Sequence, residues 1–303
     1  TVNGKISAET LQHPYSKALF EAAFYSSPSE GQPGEDPVLE VRNLVCEYYS
    51  HQKWLGSKTV FQAVKNVSLK IAAGETLALV GESGCGKSTL SKAIMGLQPI
   101  ASGEVLIGGT PFVGNDARPN KANLRDMRKR LQMVFQDPYG SFNPRQRVAH
   151  IIAEPFYLLN ETLPKHDVKQ RVCELLEAVG LNVEDAQKYP HEFSGGQRQR
   201  IAIARAMATS PDIILLDEAV SALDVSVRAQ ILDLLTDLRE RRGLAFLFVS
   251  HDLSVVRGFA HRVLVMRAGE IVEQGETEHI FTSPAHPYTK DLLTATPELA
   301  FAS

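Results

Sequence analysis

The residues best equipped for chemistry in this 303-residue chain stand together at Gly81-Glu82-Ser83-Gly84-Cys85-Gly86-Lys87-Ser88-Thr89, spaced as G-x-x-x-x-G-K-[ST]. Glycines at 81, 84 and 86 let the backbone turn its N–H groups inward, and a lysine follows, so the stretch suits an anion with several oxygens. The flanks set its context. Glu75-Thr76-Leu77-Ala78-Leu79-Val80 is apolar and β-prone, whereas Ser88 to Met95 carries apolar residues at helical spacing. A loop between a strand and a helix start adds the positive end of the helix dipole to the inward N–H donors. Residues 81–89 are therefore expected to cradle the phosphates of a nucleotide, with Lys87 at the β- and γ-phosphates and the Ser88 hydroxyl on Mg²⁺. Read alone, the stretch is a Gly-rich turn; with its flanks, a nucleotide site is the working premise.

A second concentration of chemistry lies at Asp212-Ile213-Ile214-Leu215-Leu216-Asp217-Glu218, an apolar run ending in two carboxylates. It reads as a buried parallel strand delivering acids to a ligand edge. Burying adjacent acids without a cation is costly, so a divalent metal is the natural companion. Asp217 suits the metal, and Glu218 suits a base that orients attacking water. Another buried strand, Gly243 to Val249, runs into Ser250-His251-Asp252; His251 by itself would be a capping or packing histidine. Gln136, at the end of the strand-like Leu131 to Phe135, would by itself be a polar boundary residue. Phe193-Ser194-Gly195-Gly196-Gln197 stands before a helical stretch, so Ser194 and the glycines offer either an ordinary cap or a second set of N–H donors to an anion.

The elements that must position these groups follow from periodicity. Val38 to Val41 and the alternating Ala63 to Ile71 form an antiparallel layer before the nucleotide core, with Gly103 to Ile107 a further strand. Between the first two, the connection Cys46 to Thr59 carries Tyr48, Tyr49 and Trp54, any of which could stack on a base. From about 139 to 210 strand character disappears, and Val148 to Tyr157, Val168 to Val179 and Gln197 to Ala208 are helical in period, which makes a helical insertion. Ser221-Ala222-Leu223-Asp224 then turns into a helix from Val225. The fold class expected is α/β: a nucleotide-binding core with a parallel sheet, an antiparallel β subdomain and an inserted α-helical subdomain.

Composition narrows the partners. A 44% hydrophobic, 22% charged chain is ordinary globular usage, and a net charge of −3 leaves no electrostatic footprint for nucleic acid. Its apolar windows are too short to span lipid and no signal-peptide pattern opens it, so an intracellular chain is expected, with any membrane role acting through a partner. Cys46, Cys85 and Cys173 lack disulfide or metal spacing. Cys85 alone, among loop N–H groups and beside Lys87, could be activated toward alkylating agents, or could simply be a small residue that fits.

Segment 13–19, His-Pro-Tyr-Ser-Lys-Ala-Leu, agrees in type at most places with 286–292, His-Pro-Tyr-Thr-Lys-Asp-Leu, and a Ser/Pro/Gly/acid-rich stretch follows to Pro37. Residues 1–37 are accordingly expected to be the tail of a preceding domain of the same type plus a flexible linker. Residues 38–283 form the nucleotide domain, and 284–303 a C-terminal His-Pro-Tyr extension.

The order of phosphate loop, Gln136, Phe-Ser-Gly-Gly-Gln, apolar strand with Asp-Glu, Ser-Ala-Leu-Asp and His251 resembles the P-loop ATPase domain of ATP-binding cassette (ABC) transporters, over about 38–281. The run Gln136 to Arg145 and the closing Pro284 to Tyr288 resemble the oligopeptide, dipeptide, nickel and glutathione importer branch. Phe193 stands where the family usually has Leu, and Ala219 where it usually has Pro; neither change removes a catalytic group. The resemblance implies ATP and Mg²⁺, with Tyr48 as the adenine-stacking ring, Gln136 at the metal and the water, and His251 at the γ-phosphate. It further implies a head-to-tail pair of ATPase domains, in which Ser194, Gly195, Gly196 and Gln197 of one close over the other's ATP and Asp224 crosses between them. The repeat suggests that the second ATPase domain lies in the same polypeptide. An importer subunit at the cytoplasmic face of the inner membrane, bound peripherally to permease subunits and served indirectly by a substrate-binding protein, is the function implied. The alternative is a soluble ABC ATPase of DNA repair or translation, whose usual coiled coils and basic regions are missing here.

Overall fold

In the computed structural model, the described residues are 34, 36–51, 58–114, 121–159 and 163–295. Trp54 and the His-Pro-Tyr segment at 13–15 lie outside them. Two sheets carry the molecule. The first is antiparallel and four-stranded, ordered β2-β1-β4-β5, from β1 (Pro37–His51), β2 (Lys58–Ala72), β4 (Ser102–Ile107) and β5 (Thr110–Gly114). The second is six-stranded, ordered β10-β9-β3-β8-β7-β6, from β3 (Thr76–Val80), β6 (Leu131–Val134), β7 (Ile213–Asp217), β8 (Ala245–Val249), β9 (Arg262–Arg267) and β10 (Glu270–Glu276). Its pairs are parallel except the β9–β10 hairpin at one edge.

The central strands are apolar on both faces because both faces are covered. Leu77, Leu79, Ile213, Leu215, Leu247 and Val249 point into one core with the antiparallel sheet and α1 (Lys87–Ile94). Their neighbours Ala78, Val80, Ile214, Leu216, Phe246 and Phe248 point into a second core on the opposite side, the two-residue period of a strand deciding which side chain goes where. That second core takes in the helical insertion, α6 (Val225–Arg242) and α7 (Leu253–Phe259). α6 ends at Gly243, whose φ of 64° gives the left-handed stop that glycine adopts without strain.

Within the insertion, α3 (Val148–Ala153) stops short of the expected Tyr157, because Pro155 cannot continue the hydrogen-bond ladder and Glu154–Leu158 tightens to a 3₁₀ turn. α4 spans Lys165–Ala178 and α5 Gly195–Met207, so the Ser-Gly-Gly stretch is already the first turn of a helix. Between β5 and β6 lies α2 (Lys121–Arg130), and after β10 come α8 (Thr277–Thr282) and α9 (Pro287–Ala295). Tyr48 and Tyr49 fall on β1, not in a connection, since β1 runs to His51 and pairs β2 along its length.

Where β1 and β2 pair, Glu40 lies opposite Lys70 and its carboxylate is bonded to Arg42 (2.7 Å) and Lys70 (2.9 Å). These two cations hold its pKa near 2, well below the ordinary 4.5. A depressed acid pKa stabilises the fold above the unfolded value and loses that contribution as pH falls toward the folded one. Acid unfolding midpoints followed by circular dichroism from pH 7 to pH 3 should therefore fall less steeply below about pH 4.5 in Glu40→Gln than in the parent; equal slopes would remove Glu40 from the account.

Candidate functional site

Parallel register brings the chemistry to one edge. Leu79 and Asp217 both stand opposite Val249, and Val134 opposite Leu216, so the phosphate loop, Asp217-Glu218, Ser250-His251 and Gln136 all leave the sheet at the same end. Two of the loop glycines are demanded by space. A Cβ on Gly81 would lie 2.2 Å from the Met266 carbonyl oxygen, and one on Gly86 would lie 2.4 Å from that of Ala63, both at positive φ. Lys87 is buried, and its ammonium donates to the Gly81 (2.7 Å) and Glu82 (2.9 Å) carbonyl oxygens. Its charge thus sits inside the arc of the loop. Ser88 is exposed at the helix start.

Of the two readings of Cys85, the structure favours the plain one. Its side chain is buried, and its sulfur would be 2.9 Å from a Cβ on Gly81, so the thiol packs closely against the loop backbone. It is a small residue that fills the floor of the loop. Tyr48, by contrast, stands at the loop's mouth: its hydroxyl shares a hydrogen bond with Thr89 (3.3 Å), whereas the next residue on the strand, Tyr49, bonds Glu47 (2.8 Å). Of the candidate rings among the described residues, Tyr48 is the one with a hydrogen bond to the loop, and it is half exposed. Its cross-strand partner Phe61, also exposed, had no motif to mark it.

Asp217 and Glu218 end β7. Burial, then the adjacent Glu218 charge, push the Asp217 carboxyl above its ordinary value, against the pull of Lys92 and Lys87. Its Oδ1 is shut from solvent without a hydrogen-bond partner among the described residues. An orphaned, desolvated carboxylate oxygen is what a hard dication would satisfy, and a carboxylate, a hydroxyl and an amide oxygen from Asp217, Ser88 and Gln136 are the oxygen ligands that Mg²⁺ takes. Among the described residues no trio of His, Cys, Asp or Glu forms a self-sufficient metal cage. Mg²⁺ characteristically binds through few carboxylates and the phosphates it accompanies.

Glu218 occupies a left-handed backbone, φ 49°, unusual for a residue with a Cβ. Its N–H donates to the Val249 carbonyl (3.0 Å), and its own carbonyl accepts from the Ser221 N–H (3.1 Å) and hydroxyl (2.8 Å). The turn carries its carboxylate to within 3.4 Å of His251 Nδ1, while His251 stays largely exposed. Gln136 reaches the same turn, donating to the Ser221 hydroxyl (3.4 Å). Ser221 was marked in the sequence only as the first residue of the Ser-Ala-Leu-Asp turn, with no role of its own; its position under Glu218 supplies one.

The segment after Gln136 is strapped to α5. Arg198 lies over the Tyr139 ring (5.0 Å), and Arg205 donates to the Ser141 carbonyl and hydroxyl (both 3.0 Å). Between them is a cleft of about 330 Å³ edged by Gln136, Tyr139, Gly195 and Leu223. At the head of α5 both readings of the Ser-Gly-Gly stretch apply at once. The Ser194 hydroxyl accepts from the Gln197 N–H (3.3 Å), and Gln197 Oε1 accepts from the Ser194 N–H (3.0 Å), a capping box. The box consumes those two donors, which leaves the N–H groups of Gly195 and Gly196 to face outward. A Cβ on Gly196 would meet Val227 at 2.3 Å, so glycine there also permits the close approach of α6. Asp224 precedes α6, exposed and without a side-chain capping bond, although Arg228 of that helix pairs with Asp252 (2.5 Å) beside His251.

Residues 64–221 match the ABC transporter family model. The chain belongs to the ABC transporter family. As one of its cassettes it has a second match, to the oligopeptide/dipeptide transporter C-terminal region, over 272–303. It is 48% identical over 265 residues to the dipeptide transport ATP-binding protein DppF of Haemophilus influenzae, covering 87% of this chain and 79% of that one. It is 44% identical over 313 aligned residues to the glutathione import ATP-binding protein GsiA of Shigella boydii, covering 94% of this chain and 49% of GsiA. Among solved structures, the dimeric post-hydrolysis state of the cassette MJ0796 bound to ADP and Pi superposes with a TM-score of 0.67 at 30% identity, over 79% of this chain and 98% of that one. The cassette is an ATPase with the α/β fold of its family.

Because the Asp217 pKa is raised, its ionisation opposes folding: the contribution is most favourable below the ordinary aspartate value and is lost as pH rises through the raised one. At neutral pH, Asp217→Asn should accordingly raise the nucleotide-free thermal midpoint by about 1–3 °C while abolishing turnover. A lowered midpoint by differential scanning fluorimetry would mean that the carboxylate is satisfied without a cation.

Proposed function

We propose that this cassette is the ATP-hydrolysing subunit of an importer for peptides or a related small solute, bound peripherally to permease subunits at the cytoplasmic face of the inner membrane. One observation carries the chemistry: the left-handed turn at Glu218 aims a carboxylate at His251 beside the desolvated Asp217, on the edge where the phosphate loop ends its strand. The adenine stacks on Tyr48, and residues 81–89 hold the triphosphate. Lys87 exchanges the loop carbonyls for β- and γ-phosphate oxygens. Ser88, Asp217 and Gln136 would hold Mg²⁺, which when bound would supply positive charge against that of the phosphates. Glu218 accepts a proton from water as the water oxygen bonds to the γ-phosphorus; the bond from that phosphorus to the bridging oxygen breaks, and ADP and inorganic phosphate leave. His251 faces the γ-phosphate, and Gln136, tied both to Ser221 and through its segment to α5, links nucleotide state to the helical insertion.

Ser194, Gly195, Gly196, Gln197 and Asp224 form the half of the site lent to a second cassette in a head-to-tail pair. The exposure of Ser194, Gly195, Gln197 and Asp224 supports this, as does the dimeric state of the MJ0796 neighbour. The importer class is supported by the C-terminal match and by DppF and GsiA, whose names speak of dipeptide transport and glutathione import. That the partner is a preceding domain of the same polypeptide is supported by the repeated His-Pro-Tyr segment and by the match to about half of GsiA. No helix among the described residues is long and apolar enough to cross a membrane, in keeping with attachment through a permease, with a substrate-binding protein acting further upstream. No observation favours a role in DNA repair or translation.

Glu218→Gln should bind MgATP and accumulate as a dimer by light scattering, whereas Lys87→Ala should lose both binding and turnover; parental hydrolysis by the Gln variant would remove Glu218 as the base. Stacking on Tyr48 is worth about 1 kcal/mol, so Tyr48→Ala should raise the ATP KM modestly and Tyr49→Ala less, and the reverse order would identify the wrong ring. Measured alone at micromolar concentration, turnover per molecule should rise with protein concentration, since a tethered partner would act nearer millimolar. Constant turnover from a strictly monomeric species would rule out a shared site.

A further inference from the structure

The His-Pro-Tyr extension has no part in the chemistry above, yet it touches the phosphate loop. Tyr288, on the first turn of α9, is 4% exposed, and its hydroxyl oxygen accepts the backbone N–H of Glu82 at 3.0 Å. That N–H belongs to the same peptide unit as the Gly81 carbonyl, to which Lys87 donates at 2.7 Å. The Gly81–Glu82 peptide plane is thus gripped at both ends, by Lys87 from inside the loop and by Tyr288 from behind it. This is the plane at which the chain leaves β3 with a φ of 150° at Gly81, a conformation that only glycine holds easily.

Tyr288 is itself fixed. The Arg267 guanidinium lies 4.8 Å from its ring centroid, at the end of β9. The Glu273 carboxylate on β10 accepts the N–H groups of Ala285 (2.7 Å) and His286 (3.0 Å), and His286 Nδ1 accepts the Tyr288 N–H (3.1 Å). Burial pushes the Glu273 carboxyl up, but the hydrogen bonds it receives outweigh burial and leave it below its ordinary value, an ionised anchor. The β9–β10 hairpin adds a second backbone tie to the loop, from the Gly269 N–H to the Cys85 carbonyl (2.8 Å). The C-terminal region therefore backs the phosphate loop at its first and fourth variable positions, Glu82 and Cys85.

We propose that Tyr288 is a positioning residue for the phosphate loop, through which the C-terminal extension sets nucleotide affinity. When Lys87 turns to the phosphates it gives up the Gly81 carbonyl, and Tyr288 is left holding the peptide plane in the orientation that keeps the later N–H groups pointing inward. A loop already held in that orientation binds phosphate without first being ordered. The inference rests on the reading of residues 81–89 as the nucleotide site, and it assigns to the extension an effect on binding, not on the bond-breaking step.

The test uses the 303-residue chain and Tyr288→Phe, which keeps the ring and its Arg267 contact and deletes only the acceptor. In nucleotide-free protein, hydrogen exchange at the Glu82 amide should accelerate at least tenfold. MgATP should bind about three- to tenfold more weakly, the scale of one lost hydrogen bond, with KM rising in step and kcat close to the parent's. Glu273→Gln, which loosens the anchor of α9 without touching the loop, should shift affinity the same way by less, and it keeps the idea testable if Tyr288→Phe folds poorly. Unchanged Glu82 exchange with parental affinity in a folded Tyr288→Phe would overturn the proposal, as would a lowered thermal midpoint with equal losses in kcat and affinity but unaltered exchange. If Tyr288→Phe fails alone, the nucleotide site stands; if the parent itself binds no MgATP, both fall together.

Discussion

A desolvated negative charge at the end of a buried strand is the constraint that the rest of this cassette answers. Asp217 and Glu218 leave β7 side by side, with one carboxylate oxygen of Asp217 cut off from both solvent and hydrogen bonds. Two acids so placed repel each other and resist burial, and the compensating charges come from across β8, where the loop at the end of β3 runs into the helix that carries Lys92 and Lys87. Neither half is comfortable alone. A polyphosphate with its dication is the species that would satisfy both, which is why the site reads as one for MgATP and not merely for an anion.

Holding that arrangement costs backbone strain, and the surroundings supply the restraint. Glu218 sits at φ 49° because its N–H is tied to β8 and its carbonyl is bonded twice by Ser221. The same Ser221 receives Gln136, whose following segment is strapped to α5 by Arg198 and Arg205. The Glu218 turn and the helical insertion are therefore joined by a short series of hydrogen bonds and cation–π contacts. On the opposite flank, the C-terminal helix holds the phosphate loop from behind through Tyr288. The loop is consequently framed by elements far apart in sequence, from β1, where Tyr48 meets Thr89, to α9.

Motifs built on local chemistry were legible in the chain. The glycine spacing before Lys87, the apolar strand ending in Asp217-Glu218 and the Ser-Gly-Gly helix start each announce themselves, because each depends on neighbouring residues in one short segment. Local patterns fell short where distant contacts decide. Cys85 could be read from its neighbours as activated or as merely small, and only its burial in the core decided for the second. Tyr48 and Tyr49 looked like loop residues until β1 and β2 were seen to pair as far as His51 and Lys58. Pro155 cut short a helix whose apolar period continues past it.

The sequence by itself determined the anion-binding loop, the acids and the family, since hydrogen-bonding capacity, charge and glycine freedom belong to residue types and their spacing. Only the tertiary structure decided that the Tyr48 hydroxyl meets Thr89, that Ser221 holds the turn of Glu218, and that Tyr288 grips the Gly81–Glu82 peptide. In each case the partner lies in another strand or helix, and strand register and packing, which no short window of sequence contains, select which side chain arrives.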